Sequence, residues 1–582
     1  MYPNSLLINP DTYAPEHFDP ETVRLLRATI DWFESRGKAR LASDYHQRVF
    51  HQEFLDFAAR EKLFATFLTP TAEAGGAPDK RWDTSRISAL SEILGFYGLT
   101  YWYPWQVTIL GLGPVWQSAN QSARARAAQA LDAGGVGAFG LSEREHGADI
   151  YSTDMVLSPD GDGGYTASGS KYYIGNGNCA NTVSVFGKIV AEGGPDRYVF
   201  FYADADHPAF HLVKNVVASQ MFVAEFTLDA YPVREEDILH TGDDAFSAAL
   251  NTVNVGKFNL CFCGIGMCTH AFYEAITHAH NRILYGHPVT DFPHVRRTFV
   301  DAYVRMIGMK LFSDRAIDYF RSAHLGDRRY LLFNPITKMK VTTEAENVLA
   351  LLADVVAAKS FEADTYLTIA RSDVPGLPKL EGTVAVNLAL ILKFLPAYFF
   401  GPAEHEPAPT RNDAADDEFL FAQGPARGLG KVRFHRWRTA YEAKAHLPNV
   451  ALFLEQADAF ADLIREVGPD ADQQQDLDFM LALGELFTLI VYGQLICEQA
   501  AIVGVSDTEA PVVSDDVLDQ FFDVLVRDFS RRAVELHGKT GASAEQQAHA
   551  LALVRRQAAA GEGFDRVWDE VVGHSGRYEM RG

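Results

Sequence analysis

Phe139-Gly-Leu-Ser-Glu-Arg-Glu-His-Gly-Ala-Asp149 opens as a short strand-like run, reaches a Ser-Glu pair and closes on a Gly-Ala-Asp turn. It stands just after Gly134-Gly135, where the character of the chain changes. Upstream, from Glu21 to about Ala133, apolar residues fall at three- and four-residue spacing, as in Val23, Leu25, Leu26, Ile30 and Phe33, which predicts helices. Downstream come runs rich in Val, Tyr, Phe and Thr between turn residues: Gly137–Leu141, Tyr165–Tyr173, Thr182–Val190, Arg197–Ala205 and Phe222–Val233. Asp160-Gly-Asp-Gly-Gly164 between two such runs is a hairpin signal, because glycine takes positive φ without steric cost.

Helical periodicity returns over Ala248–Arg282, His294–Ala323 and Pro335–Ala370, and again over Val450–Val467, Leu477–Val503 and Val517–Thr540. Between the two sets, residues 401–417 are polar, proline-bearing and acidic, which reads as a linker or long surface loop. The expected fold is therefore α+β and mostly α. It comprises an N-terminal helical domain (1–135), a central antiparallel β-barrel-like domain (136–243), a helical bundle (244–400), the linker (401–417) and an extra C-terminal helical domain (418–582).

At 582 residues with 47% hydrophobic content, the chain can bury a large core. A net charge of −24 lacks the basic footprint that nucleic acid demands, so any anionic ligand needs a local patch. Five cysteines, Cys179, Cys261, Cys263, Cys268 and Cys497, are too few and of odd number for a secreted disulfide framework. Three of them fall in Asn259–His270, where small buried helix residues suit the spacing better than metal ligands, so no metal is expected. The start has no basic n-region followed by a long apolar run, and a cytoplasmic location is expected. The most apolar window, Val384–Phe400, is interrupted by Asn387, Lys393 and Pro396 and reads as a buried helix rather than a membrane span.

Three further stretches carry chemistry: Gly169-Ser-Lys-Tyr-Tyr-Ile-Gly-Asn-Gly177, Arg282-Ile-Leu-Tyr-Gly286 and Leu380-Glu-Gly-Thr383. With Phe139–Asp149 they make four motifs in a fixed order, and over about residues 20–400 this order resembles the acyl-CoA dehydrogenase family of flavoproteins. The resemblance implies FAD as cofactor, with Phe139, Leu141 and Ser142 at the pyrimidine side of the flavin, Ala148 near the flavin or its pyrophosphate, and Tyr173, Ile174 and Gly175 along its ring. It implies that Arg282, with Tyr285 beside it, reaches the FAD pyrophosphate of a neighbouring subunit, hence a homodimer or homotetramer. Thr383 is carried over as a further cofactor contact, and Gly382 and Ala148 as substrate contacts.

By the same resemblance Glu381 is the catalytic base, removing the α proton of an acyl-CoA or acyl-carrier-protein thioester while hydride leaves the β carbon. Electrons would pass on to an electron-transferring flavoprotein or to O₂. An ordinary carboxylate is a weak base for a carbon acid, so burial must raise its basicity, and Leu380 with Val384–Leu392 would supply the dry wall. The same Glu-Gly-Thr also makes a good helix start, with Thr383 as N-cap.

The sequence departs from the family pattern in several places. Ala148 replaces a serine, Gly175 a threonine and Tyr173 a tryptophan; Pro293 stands where relatives carry glutamine, and 355–364 lacks a Gly-Gly pair. Two cationic clusters, Lys431–Arg438 and Arg296-Arg297, read either as internally paired charge or as a patch for an anionic carrier. Residues 418–582 resemble, by length and class, the extra helical domain of acyl-CoA oxidases and large bacterial dehydrogenases. A flavin monooxygenase on the same fold and a non-catalytic thioester-binding relative are the alternative readings.

Overall fold

The computed structural model describes residues 6–149, 151–190, 195–424, 428–504, 512–559 and 561–582. Backbone packing divides them into two compact units, one built on residues 18–263 with the described part of 413–427, the other on 264–412 with 428–581 and the described part of 1–17.

In the first unit, helices run from Pro20 to Asp132 and the strands follow: β1 (Gly137–Gly140), β2 (Val156–Pro159), β3 (Tyr165–Gly175), β4 (Thr182–Ile189), β5 (Arg197–Ala203), β6 (Phe210–Asn215), β7 (Val223–Val233) and β8 (Ile238–Thr241). The five expected runs are β1, β3, β4, β5 and β7, while β2, β6 and β8 are additional. The 160–164 turn joins β2 to β3 antiparallel, with Pro159 opposite Tyr165 and Asp160 Oδ1 accepting from the Asp162 and Gly164 amides.

The barrel-like expectation is corrected. The strand path runs β6-β7-β3-β2-β4-β5-β8, and both β1 and β2 pair parallel with β4, so the described strands form an open mixed sheet. Alternate residues Val199, Phe201 and Ala203 of β5, with Val183 and Val185 of β4, fill its core at the two-residue period of a strand. Against the sheet lies the helix Leu99–Trp116, buried over its whole length, which explains why it is apolar on every face. The helix and β1 approach closely at Gly111, where a Cβ would stand 2.5 Å from the Ala138 nitrogen.

The second unit is helical. Helices Asp243–Asn281 and Pro293–Arg321 match the expected periodic segments, the first beginning in the other unit. The segment read as one helix over Pro335–Ala370 is instead Tyr330–Ile336, a π-helical turn Thr337–Val341, helix Thr342–Val356, a 3-10 stretch Ala357–Phe361 and helix Tyr366–Asp373. Val384–Phe400 is likewise broken, into helices Val384–Ile391 and Leu395–Phe400 around a 3-10 turn at Leu392–Phe394, with Pro396 opening the second. Val386 and Phe400 are exposed, so the buried-helix reading holds for only one face. The helix Leu477–Val503 is long and apolar enough to cross a membrane, yet 78% of its most apolar window is buried inside the protein.

Residues 401–417 contain no helix or strand, but they are anchored. Arg315 Nη2 donates to the Ala408 carbonyl and the Arg411 amide to Asp318 Oδ1 in one unit. In the other, Asp416 accepts from the Thr71 and Trp82 amides and Asp417 from the Thr84 amide.

Candidate functional site

In the sheet unit, the first two motifs are brought side by side. Ser142 Oγ donates to the Tyr172 carbonyl at 2.8 Å and the Tyr172 amide returns a bond to the Ser142 carbonyl at 3.0 Å. Beneath them Lys171 is fully buried, its Nζ 2.6 Å from Glu143 Oε1 and 3.0 Å from the Leu141 carbonyl. Burial lowers the Lys171 ammonium to about 8 against the pull of Glu143. The same burial would raise Glu143, but the Lys171 charge and bonds from Lys171, Thr153 and the Asp154 amide hold its carboxyl below the ordinary value. This ion pair is a rivet under the loop. Glu143, His146 and Asp154 place one ligand atom each within 4.8 Å of one another, but the Glu143 oxygens are already taken by Lys171, Thr153 and Asp154.

The remaining motif residues separate by what they expose. Tyr173 has φ 60° and is 61% exposed, so its ring is open to a ligand. Ile174 is buried in the sheet core and leaves only its main chain available. Gly175 faces Val107 and Tyr103 of the Leu99–Trp116 helix, with no room for a side chain. Phe139 stacks on Phe200 at a 5.8 Å centroid separation, and Leu141 is half-buried. Ala148 is exposed in the loop.

In the helical unit, Leu380-Glu-Gly-Thr383 forms the bridge between a 3-10 turn (Val374–Lys379) and helix Val384–Ile391. Glu381 has φ 52° and Gly382 φ 93°, two successive left-handed residues. Glu381 is half-buried and its Oε2 atom is shielded from solvent. Thr383 caps the helix, accepting from the Val386 amide at 3.4 Å, so the helix start is formed with Glu381 left ahead of it. Two side chains hold the bridge. Lys338 Nζ donates to the Pro378 carbonyl at 2.6 Å and to the Gly382 carbonyl, while Asn387 Nδ2 donates to the Gly382 and Thr383 carbonyls at 3.2 and 2.9 Å. The sequence marks Lys338 only as a lysine inside a stretch of helical periodicity.

Arg282 precedes a hairpin of Ile283–Leu284 and His287–Pro288, turned by Tyr285 and Gly286 at φ 53° and 84°, the pair of positive values a type I′ turn requires. Tyr285 is 93% exposed at its tip. Among the described residues the Arg282 guanidinium is in no ion pair, unlike four members of the two cationic clusters. Arg297 pairs with Asp301 and Asp523, and Arg296 lies over the Trp568 ring. His435 bonds Glu498, and Arg436 and Arg438 pair with Glu442, with Arg438 also on Asp458. The internally paired reading holds for Arg297, His435, Arg436 and Arg438.

Residues 243–395 match the family model for the acyl-CoA dehydrogenase C-terminal domain. That match covers about a quarter of the chain and identifies this segment as an acyl-CoA dehydrogenase C-terminal domain. The chain is 23% identical over 283 residues to the short-chain specific acyl-CoA dehydrogenase of Megasphaera elsdenii, covering 47% of this chain and 73% of that protein. An acyl-CoA dehydrogenase of Bacillus anthracis, solved with FAD, shares the fold over 98% of both chains at TM-score 0.74 and 14% identity. A prolyl acyl carrier protein oxidase shares it over 65% of this chain and 99% of its own at TM-score 0.56 and 17% identity. The Bacillus anthracis neighbour was solved with FAD, and the family match supports the reading of this chain as an oxidoreductase that takes the same group. Its residues suit that group. Tyr173 offers an exposed aromatic face, and Arg282 a guanidinium outside any ion pair for phosphate oxygens, which it can grip through two parallel bonds.

Proposed function

We propose that this chain dehydrogenates an acyl thioester between its α and β carbons, with Glu381 as the base. The observation that carries the reading is the Glu381 carboxylate itself: one oxygen hidden from water, on a left-handed bridge ahead of a helix N-terminus. Partial desolvation makes a carboxylate a stronger base, while the helix N-terminus favours its charged form before the substrate arrives. In the reaction the α C–H bond breaks and its proton goes to Glu381. The electron pair left behind becomes the new carbon–carbon double bond as hydride leaves the β carbon. FAD, when bound, supplies the acceptor for that hydride.

Tyr173 and the main chain at Leu141–Ser142 would hold FAD, and Arg282 would reach the pyrophosphate of FAD in a neighbouring copy; Gly382, without a side chain, would let the thioester approach the backbone. Both coenzyme A and carrier-protein thioesters occur as substrates in the names of its relatives, and electrons would leave to an electron-transferring flavoprotein or to O₂. The exposed hairpin bearing Arg282 and Tyr285 supports assembly of two or more copies.

The test is anaerobic addition of acyl-CoA and acyl-carrier thioesters to the flavin-loaded protein. One of them should bleach the flavin, and Glu381→Gln should slow bleaching by about 10²–10⁴-fold, the usual worth of a positioned base. Bleaching at an unchanged rate in the Gln variant removes Glu381 from the reaction. A flavin that only an external reductant bleaches turns the reading to a monooxygenase.

A further inference from the structure

Lys338 is fully buried, on a π-helical turn, and spends its ammonium protons on the two ends of the segment that carries Glu381. A buried ammonium is costly unless its donors are satisfied, so its placement under Pro378–Gly382 demands a reason. That segment holds the reason. A left-handed conformation costs a non-glycine residue about 1–2 kcal/mol and persists only where its surroundings over-determine it. Here Glu381 and Gly382 are both left-handed.

We infer that Lys338 is a positioning residue that clamps the Pro378–Gly382 bridge and so aims the Glu381 carboxylate. This rests on Glu381 being the base. The ammonium ties the Pro378 carbonyl before Glu381 to the Gly382 carbonyl after it, fixing the Pro378–Lys379 and Gly382–Thr383 peptides that bracket the strained residue. Asn387 adds a second donor to Gly382 from the following helix. The π turn, Thr337–Val341, makes the reach possible. Its widened ring presents Lys338 to the bridge while Lys340, two residues on, turns to Glu344. Such turns inside helices recur at functional sites. The Lys338 carbonyl is itself fixed by Thr342 Oγ1 at 2.5 Å, so the base of the clamp is rigid.

The experiment uses the full-length, flavin-loaded protein with Lys338→Met, Lys338→Gln, Lys338→Arg and Glu381→Gln. Amide hydrogen exchange is followed in peptides covering 376–388 and 342–356, and thioester-driven bleaching is measured per bound flavin. In Lys338→Met, exchange at 380–383 should rise about tenfold or more, with helix 342–356 unchanged, because the opening is local. The bleaching rate should fall about 10–100-fold, as for a misplaced reacting group, with the half-saturating thioester concentration held within about twofold. Lys338→Arg, which keeps the charge and donors, should recover most of both. Unchanged exchange at 380–383, or a rate loss that only follows flavin content and melting temperature, overturns the clamp. If Lys338→Met does not fold, Lys338→Gln is judged by the same two readouts. If Glu381→Gln bleaches at the parent rate, the base assignment falls, and with it the aiming role, while the exchange data still decide whether the clamp exists.

Discussion

A Cβ placed on Gly175 would lie 2.3 Å from Val107 Cγ1 and 2.9 Å from Tyr103 Cε1, closer than packed atoms come. The departure from threonine at this position is visible in the sequence, but its cause sits on a helix far upstream and becomes visible only in the packed structure. Gly175→Thr should therefore lower stability by about 1–3 kcal/mol, the ordinary cost of overpacking, read as a drop in melting temperature. Val107→Ala in the same chain should recover part of it. Glu381 and Lys338 make the opposite pair. The first was legible because Leu380-Glu-Gly-Thr383 is a motif in register with three others. The second was not, because periodicity shows which residues share a helical face only while the helix stays α, and a π turn shifts that phase just where Lys338 lies.

Elements show the same limit. Long segments with steady three- and four-residue spacing, such as Pro293–Arg321 and Leu477–Val503, were readable almost to their ends. Short strands with mixed burial, β2, β6 and β8, were not, and the parallel pairing of β1 and β2 with β4 opens a sheet expected to be barrel-like. The two readings of the basic run at Lys431–Arg438 stayed open because one of its acidic partners, Glu498, is distant in the chain. His435 is 2.8 Å from Glu498, which also takes Arg315 at 2.9 Å and the Tyr319 hydroxyl at 2.8 Å. Burial pushes the Glu498 carboxyl up, but the His435 bond and the Arg315 charge more than reverse this and hold it at about 2, below the ordinary 4.5. A carboxyl depressed in the folded state contributes stability above its unfolded value, and that contribution is lost as pH falls from about 4.5 towards 2. Glu498→Gln should cost about 3–5 kcal/mol at pH 7 by leaving Arg315 buried without its charge partner. The gap in melting temperature between the two proteins should close as pH approaches 2; a gap that stays constant with pH would assign the loss to packing instead.

At the scale of the whole chain, the late helices read as a domain appended after an acidic linker, and the packing argues otherwise. Within one compact unit, Arg297 and Arg527 meet Asp301 and Asp523, Arg305 bridges Glu344 and Asp528, and Arg315 bridges Asp318 and Glu498. Each set joins helix Pro293–Arg321 to a helix beyond residue 470, and the apolar contact between them is as close: Phe521 would meet a Cβ on Gly308 at 2.3 Å. Arg305 and Arg315, nearly or fully buried, would be stranded without those partners, and an uncompensated buried charge costs several kcal/mol. Two such losses exceed a good part of the 5–15 kcal/mol that holds a typical fold together. A chain ending at residue 412 should therefore fail to give a soluble protein with a cooperative melt, whereas an appended domain could be removed without that consequence. Recovery of a soluble, cooperatively melting 1–412 fragment would show that the first bundle closes its own core and that the late helices only cover it.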